Sequence, residues 1–166
     1  TASGGSGGSV SGTGTFDWNS SAGITATSNT GYSFSGWVGT GITNPSATNT
    51  TVLMTQDRNV TATFLINSYI LTTSPGPGGN VSSSGSHEHG TQSTITATPQ
   101  TGYTFAGWVG SGIADANATT TTVDMTQDRN ASAVFAINQY ELGVSSGTGG
   151  STSGAGSYDW NSSIPI

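Results

Sequence analysis

The chain has 166 residues, of which only 6% are charged: eight Asp or Glu, two Arg and no Lys, for a net charge of −6. That balance argues against nucleic acid and anionic membranes as partners, since both need clustered Lys or Arg. There is no Cys, so no disulfide staples the fold, and no apolar run approaches the ~20 residues of a membrane helix, so no membrane insertion is expected.

The polar surface is made of Ser, Thr, Asn and Gly. Together with β-branched Thr and Val, these suit strands and turns better than helices. Trp, Tyr and Phe recur at regular places, as packed cores require and disordered chains do not show. The chain opens with neither Met nor a signal peptide. Thr1 therefore reads as a processed end or as the edge of a window in something longer.

Self-similarity organises the chain. Gly31-Tyr32-Ser33-Phe34-Ser35-Gly36-Trp37-Val38-Gly39 returns as Gly102-Tyr103-Thr104-Phe105-Ala106-Gly107-Trp108-Val109-Gly110. Met54-Thr55-Gln56-Asp57-Arg58-Asn59 returns as Met125-Thr126-Gln127-Asp128-Arg129-Asn130 at the same offset. Aligning residues 1–66 with 72–137 gives 36 identities in 66 positions. The expected domains are therefore repeat 1 at 1–68, lacking its first strand, a complete repeat 2 at 69–139, and the start of repeat 3 at 140–166. That last fragment is closer to the first copy than to the second. Residues 143–166 share 14 of 24 positions with 1–24 but 8 of 24 with 72–95.

Within a copy the apolar period is two, as in Val60, Ala62, Phe64 and Ile66. In chain order, the complete copy predicts strands at 69–74, 80–84, 94–98, 104–109, 120–125 and 130–137. Turns separate them at Pro75-Gly76-Pro77-Gly78-Gly79, Pro99-Gln100-Thr101-Gly102 and Gln127-Asp128-Arg129-Asn130, each with the residues a tight reversal needs. No stretch has the pattern of an amphipathic helix. The last strand of one copy runs into the first of the next through Ile66-Asn67-Ser68-Tyr69-Ile70-Leu71, a linker short enough to favour a stiff rod.

The motif order resembles a known family. It runs Tyr69-Ile70-Leu71, Gly78-Gly79-Asn80-Val81, His87-Glu88, Thr94-Ile95-Thr96-Ala97-Thr98-Pro99, then the Gly-Tyr-x-Phe-x-Gly-Trp segment at 102–108, then 123–135. This resembles the divergent internalin-type B-repeat of secreted and surface-anchored proteins, over nearly the whole chain. The resemblance implies an all-β chain of small β-grasp-like modules in tandem, with little or no helix. It also implies a stalk or adhesive role, by association, because a fold does not fix a function.

The shared apolar set predicts one core per copy. It comprises Tyr32, Phe34, Trp37, Met54 and Phe64 in the first, and Tyr103, Phe105, Trp108, Met125 and Phe135 in the second. Gly107 is expected to kink its strand so that Trp108 joins that core. An exposed sugar-stacking platform is the alternative reading of these rings.

Chemistry is thinly provided. Catalysis needs an oriented nucleophile, base or metal, and none is expected, so the chain reads as a non-enzyme without a cofactor. His87-Glu88-His89 is the one candidate metal cluster, because alternating His in an extended segment share a face. Its counterparts are Phe16-Asp17-Trp18 and Tyr158-Asp159-Trp160, so the alternative is His standing in for an aromatic. Asp17 with Asn19, and Asp159 with Asn161, are candidate Ca²⁺ ligands or turn stabilisers. Asp57-Arg58 and Asp128-Arg129 suggest a local ion pair or an Asx turn. Asn-x-Ser/Thr sequons at Asn19, Asn49, Asn59, Asn80, Asn117, Asn130 and Asn161 permit glycosylation.

The expected function is a structural repeat of an extracellular stalk or filament. Its partners are neighbouring copies, or further repeats of the same chain. Residue 1 aligns with Thr72, so the first copy holds only the tail of its first strand, while the third copy carries such a strand at 140–145 and a following hairpin. Tyr140, Leu142, Val144, Tyr158 and Trp160 are therefore the expected assembly residues, joining neighbours by strand addition. The alternative is an adhesive module that binds a glycan or a host protein through its loops.

Overall fold

A computed structural model describes residues 1–82 and 84–165. Position 83, inside the strand expected at 80–84, and position 166, the end of repeat 3, lie outside the described residues. The fold is all-β, and no helix occurs among the described residues. The chain divides into two compact units. One takes in 1–69 with 88–90, and the other 70–87 with the chain from 91 onward.

The first unit has two three-stranded sheets. One orders β1 (Ala2–Gly4), β6 (Val60–Ile66) and β4 (Tyr32–Gly39) as β1-β6-β4. The other orders β2 (Gly8–Ser11), β3 (Ser20–Ser28) and β5 (Asn49–Met54) as β2-β3-β5. Strand β1 runs parallel to β6, with Ala2 opposite Val60, and the remaining pairings are antiparallel. Alternation supplies the inner faces, as period two requires. Ile24 and Ala26 of β3 and Val52 of β5 meet Trp37 of β4 and Val60 and Ala62 of β6, all buried.

The second unit repeats this plan. Strands β12 (Thr120–Met125), β10 (Thr91–Pro99) and β8 (Gly79–Val81) form one sheet. The other has the order β11-β13-β7-β9, from β11 (Tyr103–Gly110), β13 (Arg129–Ile137), β7 (Ser68–Pro75) and β9 (Gly85–Glu88). A further two-stranded sheet joins β14 (Gln139–Leu142) to β15 (Gly156–Asp159). The strands expected at 69–74, 104–109, 120–125 and 130–137 are found close to those bounds, the one expected at 94–98 runs longer, over Thr91–Pro99, and where 80–84 is expected the described strand is Gly79–Val81. Strand β9 is additional. Its run of Gly, Ser, His and Glu has no apolar alternation to announce it, and the backbone of β7 recruits it. The third copy's strand, expected at 140–145, ends at Leu142, because Gly143 follows.

The repeated aromatic motif works through a bulge. Register shifts between Phe34 and Gly36, and again between Phe105 and Gly107. At Gly107 φ is +148°, a conformation L side chains rarely adopt. The shift turns Trp37 and Trp108 inward, each 5% exposed. Each indole N–H donates to a loop carbonyl at 3.0 Å, Ala47 O and Ala118 O respectively. Phe105 meets Trp108 and Phe135 edge-on at 5.7 and 6.0 Å, and Phe34 meets Trp37 and Phe64 likewise at 5.8 and 5.9 Å.

Candidate functional site

The two units differ most at their first strand. In the second, Leu71 on β7 is fully buried, as are Ile95, Val123 and Met125. Strand β7 runs parallel to β13 and extends back to the pair Arg129–Leu71. The Ile70 N–H donates to Asp128 Oδ1 at 2.7 Å. On its other edge lies β9.

In the first unit the parallel pairing begins at Ala2. The first unit has a small cavity lined by Thr1, Ala2, Phe16, Ile24, Met54 and Arg58, among others. Met54 is half-buried, whereas its counterpart Met125 is fully buried. Residues 14–17, the counterparts of β9 and β15, lie in no strand. Trp18 beside them is 79% exposed.

The other two occupants of the Trp18 position are engaged. The Trp160 backbone N–H donates to Asn138 O at 2.8 Å, and its ring lies where a Cβ on Gly102 would stand. The His89 backbone N–H donates to Asn67 O at 2.8 Å, and its ring lies likewise over Gly31. The repeated pattern is an aromatic plug seated on a glycine.

Of the expected assembly residues, Tyr140 and Tyr158 face each other across β14 and β15, and the Tyr158 hydroxyl donates to Gly154 O at 2.8 Å. Tyr140 is 58% exposed and Leu142 half-buried. Val144, also half-buried, lies past the end of the strand. Of the expected core residues, Tyr32, Phe34, Phe64, Tyr103, Phe105 and Phe135 are half-buried, with Trp37, Trp108 and Met125 innermost.

The two histidines are engaged separately. His87 Nε2 lies 3.2 Å from Ser93 Oγ, and His89 meets Tyr69 edge-on at 6.0 Å with its Nδ1 buried and unpartnered. Among the described residues no three His, Cys, Asp or Glu group closely enough to hold a metal ion. Asn19 and Asn161 have positive φ, 64° and 61°, which marks them as turn formers. Gln139 Nε2 donates to Asp159 Oδ1 at 2.9 Å.

The Arg129 guanidinium donates to Asp124 O, Ser111 Oγ and Thr126 Oγ1 at 3.0–3.1 Å, and Arg58 donates to Leu53 O, Thr40 Oγ1 and Thr55 Oγ1 at 2.7–2.8 Å. Each Arg thus stitches its own turn through a carbonyl and two hydroxyls. Trypsin requires the bond after Arg in an opened segment. The native chain should therefore stay intact under trypsin while the heat-unfolded chain is cut after Arg58 and Arg129. Rapid native cleavage at either Arg, read by mass spectrometry, would show the turns to be loose.

This geometry is that of a tandem β-repeat, and comparison with known families agrees. Residues 1–68 and 69–139 each match the divergent InlB B-repeat domain, and the chain belongs to that family. No curated protein and no solved structure matches it. Tandem domains of this family make the chain a structural repeat of a surface protein.

Proposed function

We propose that the chain is a non-catalytic module of an extracellular stalk or filament, whose modules add head to tail by strand complementation. The observation that carries this is the recurrence of one strand at a fixed phase: Ser68–Pro75 completes the second unit beside Arg129–Ile137, and Gln139–Leu142 offers the same Tyr-x-Leu strand again 71 residues on. A strand that belongs to the next module's sheet joins modules end to end. A heterologous contact that does not close grows into a fibre. The absence of Lys and Cys also suits an exposed protein that must resist proteases and redox change.

Electron microscopy and sedimentation of the purified chain test the proposal. Concentration-dependent filaments one chain wide are the expected result. A chain that sediments as a monomer at every concentration would refute the filament. The second reading, an adhesive module for a glycan or host protein, has the exposed Trp18 in its favour, since a free indole face stacks on sugars.

A further inference from the structure

We infer that the glycine turns at Gly31 and Gly102 are sockets for a flat ring supplied by the following repeat, so that the unit which folds is one repeat completed by its successor's ring. The inference goes beyond the filament reading and does not depend on it.

The repeats of the sequence and the compact units of the structure have different boundaries. The family matches are 1–68 and 69–139. The first unit nevertheless takes in residues 88–90, which belong to the second repeat. What those residues bring is His89, with its backbone N–H on Asn67 O and its ring over Gly31. The second unit holds Trp160, from beyond residue 139, on Asn138 O and Gly102 in the same way. Ring and glycine both recur at the 71-residue offset.

Each socket has the same parts. The turn glycine has a φ of +81° at Gly31 and +86° at Gly102, in the left-handed region that favours glycine. Its carbonyl accepts the N–H of Asn67 or Asn138 at 2.8 Å. That Asn side chain is held by a hydroxyl. Ser33 Oγ donates to Asn67 Oδ1 at 2.6 Å, and Thr104 Oγ1 to Asn138 Oδ1 at 2.5 Å. The Asn carbonyl then takes the backbone N–H of the ring residue. A Cβ on Gly31 would fall onto the His89 ring, and one on Gly102 onto the Trp160 ring. The ring thus fills space that only glycine leaves open.

An imidazole and an indole occupy the same place, so the socket selects by shape. It offers the imidazole no polar reward: His89 Nδ1 is buried without a hydrogen-bond partner, and its ring meets only the edge of Tyr69, at 6.0 Å. A desolvated, unpaired nitrogen is costly, and an imidazole covers less apolar area than an indole. Histidine is therefore the weaker occupant. Contacts of this kind between successive repeats are the nearest-neighbour terms that stabilise a repeat array.

Calorimetry of the full chain tests the sockets, with Trp108→Ala marking which transition is the second unit's. His89 lies in the second repeat by sequence and in the first unit by contact, so the unit that responds decides. His89→Ala should lower the first unit's midpoint by several degrees and leave the second's in place. His89→Trp should raise the first unit's midpoint, and Trp160→Ala should lower the second's. Gly31→Ala carries a backbone cost of its own, because φ is positive there. It is therefore read as a cycle: its effect on the midpoint should shrink once His89→Ala has emptied the socket. A response to His89 changes confined to the second unit, or a cycle in which the two changes simply add, would overturn the inference. If Gly31→Ala does not fold, His89→Trp decides alone, and a first midpoint that fails to rise sinks the socket.

Discussion

Replacing Trp108 by alanine is expected to destabilise the second unit by about 3–5 kcal/mol. Three losses combine. The indole is almost wholly buried, so its removal leaves a cavity between the sheets. Edge contacts to Phe105 disappear, and with them the packing that holds Phe105 against Phe135. The Ala118 carbonyl loses the indole N–H that ties its loop to the core. Against a typical domain stability of about 5–15 kcal/mol, this is a large fraction. Trp108→Phe should restore much of the ring packing and still lack the N–H, and so fall between the two. Thermal unfolding followed by circular dichroism reads all three chains. An unchanged melting temperature for Trp108→Ala would remove the ring from the core.

The sequence was most legible where side chains alternate. Val60, Ala62 and Phe64, or Val123 and Met125, announce strands because one face must be apolar. The Gly-Tyr-x-Phe-x-Gly-Trp motif announced its bulge, because its aromatic spacings cannot all keep one face without a shift in register. Strand β9 stayed hidden. Residues Gly85–Glu88 form a strand only because the backbone of β7 lies alongside, and no local pattern encodes a partner beyond the intervening turn and β8. The seating of His89 on Gly31 was hidden for the same reason, although the alignment of Trp18, His89 and Trp160 pointed to a shared place. Met54 and Met125 are the same residue in the same motif, yet they differ in burial. Met125 belongs to a unit whose first strand carries the buried Leu71, which the motif does not contain.

Leu71→Ala tests that neighbour directly. Leu71 is fully buried, and so are Ile95, Val123 and Met125 of the same unit. Buried Leu→Ala changes cost about 2–5 kcal/mol, the more so when surrounding side chains cannot collapse inward. Collapse is restricted here, since Met125 and Val123 are themselves held on β12 and Ile95 on β10. For a module of this size each ~1 kcal/mol shifts the midpoint by about 4–8 °C. The second unit's transition should therefore fall by roughly 10 °C or more. The first unit's transition stays, because Leu71 belongs to the second unit. Differential scanning calorimetry separates the two. Leu142→Ala supplies the contrast, since Leu142 is only half-buried in the single chain. It should leave the melting close to that of the unaltered chain. A Leu71→Ala chain that melts as before would show that the buried leucine does not hold the second unit's core together.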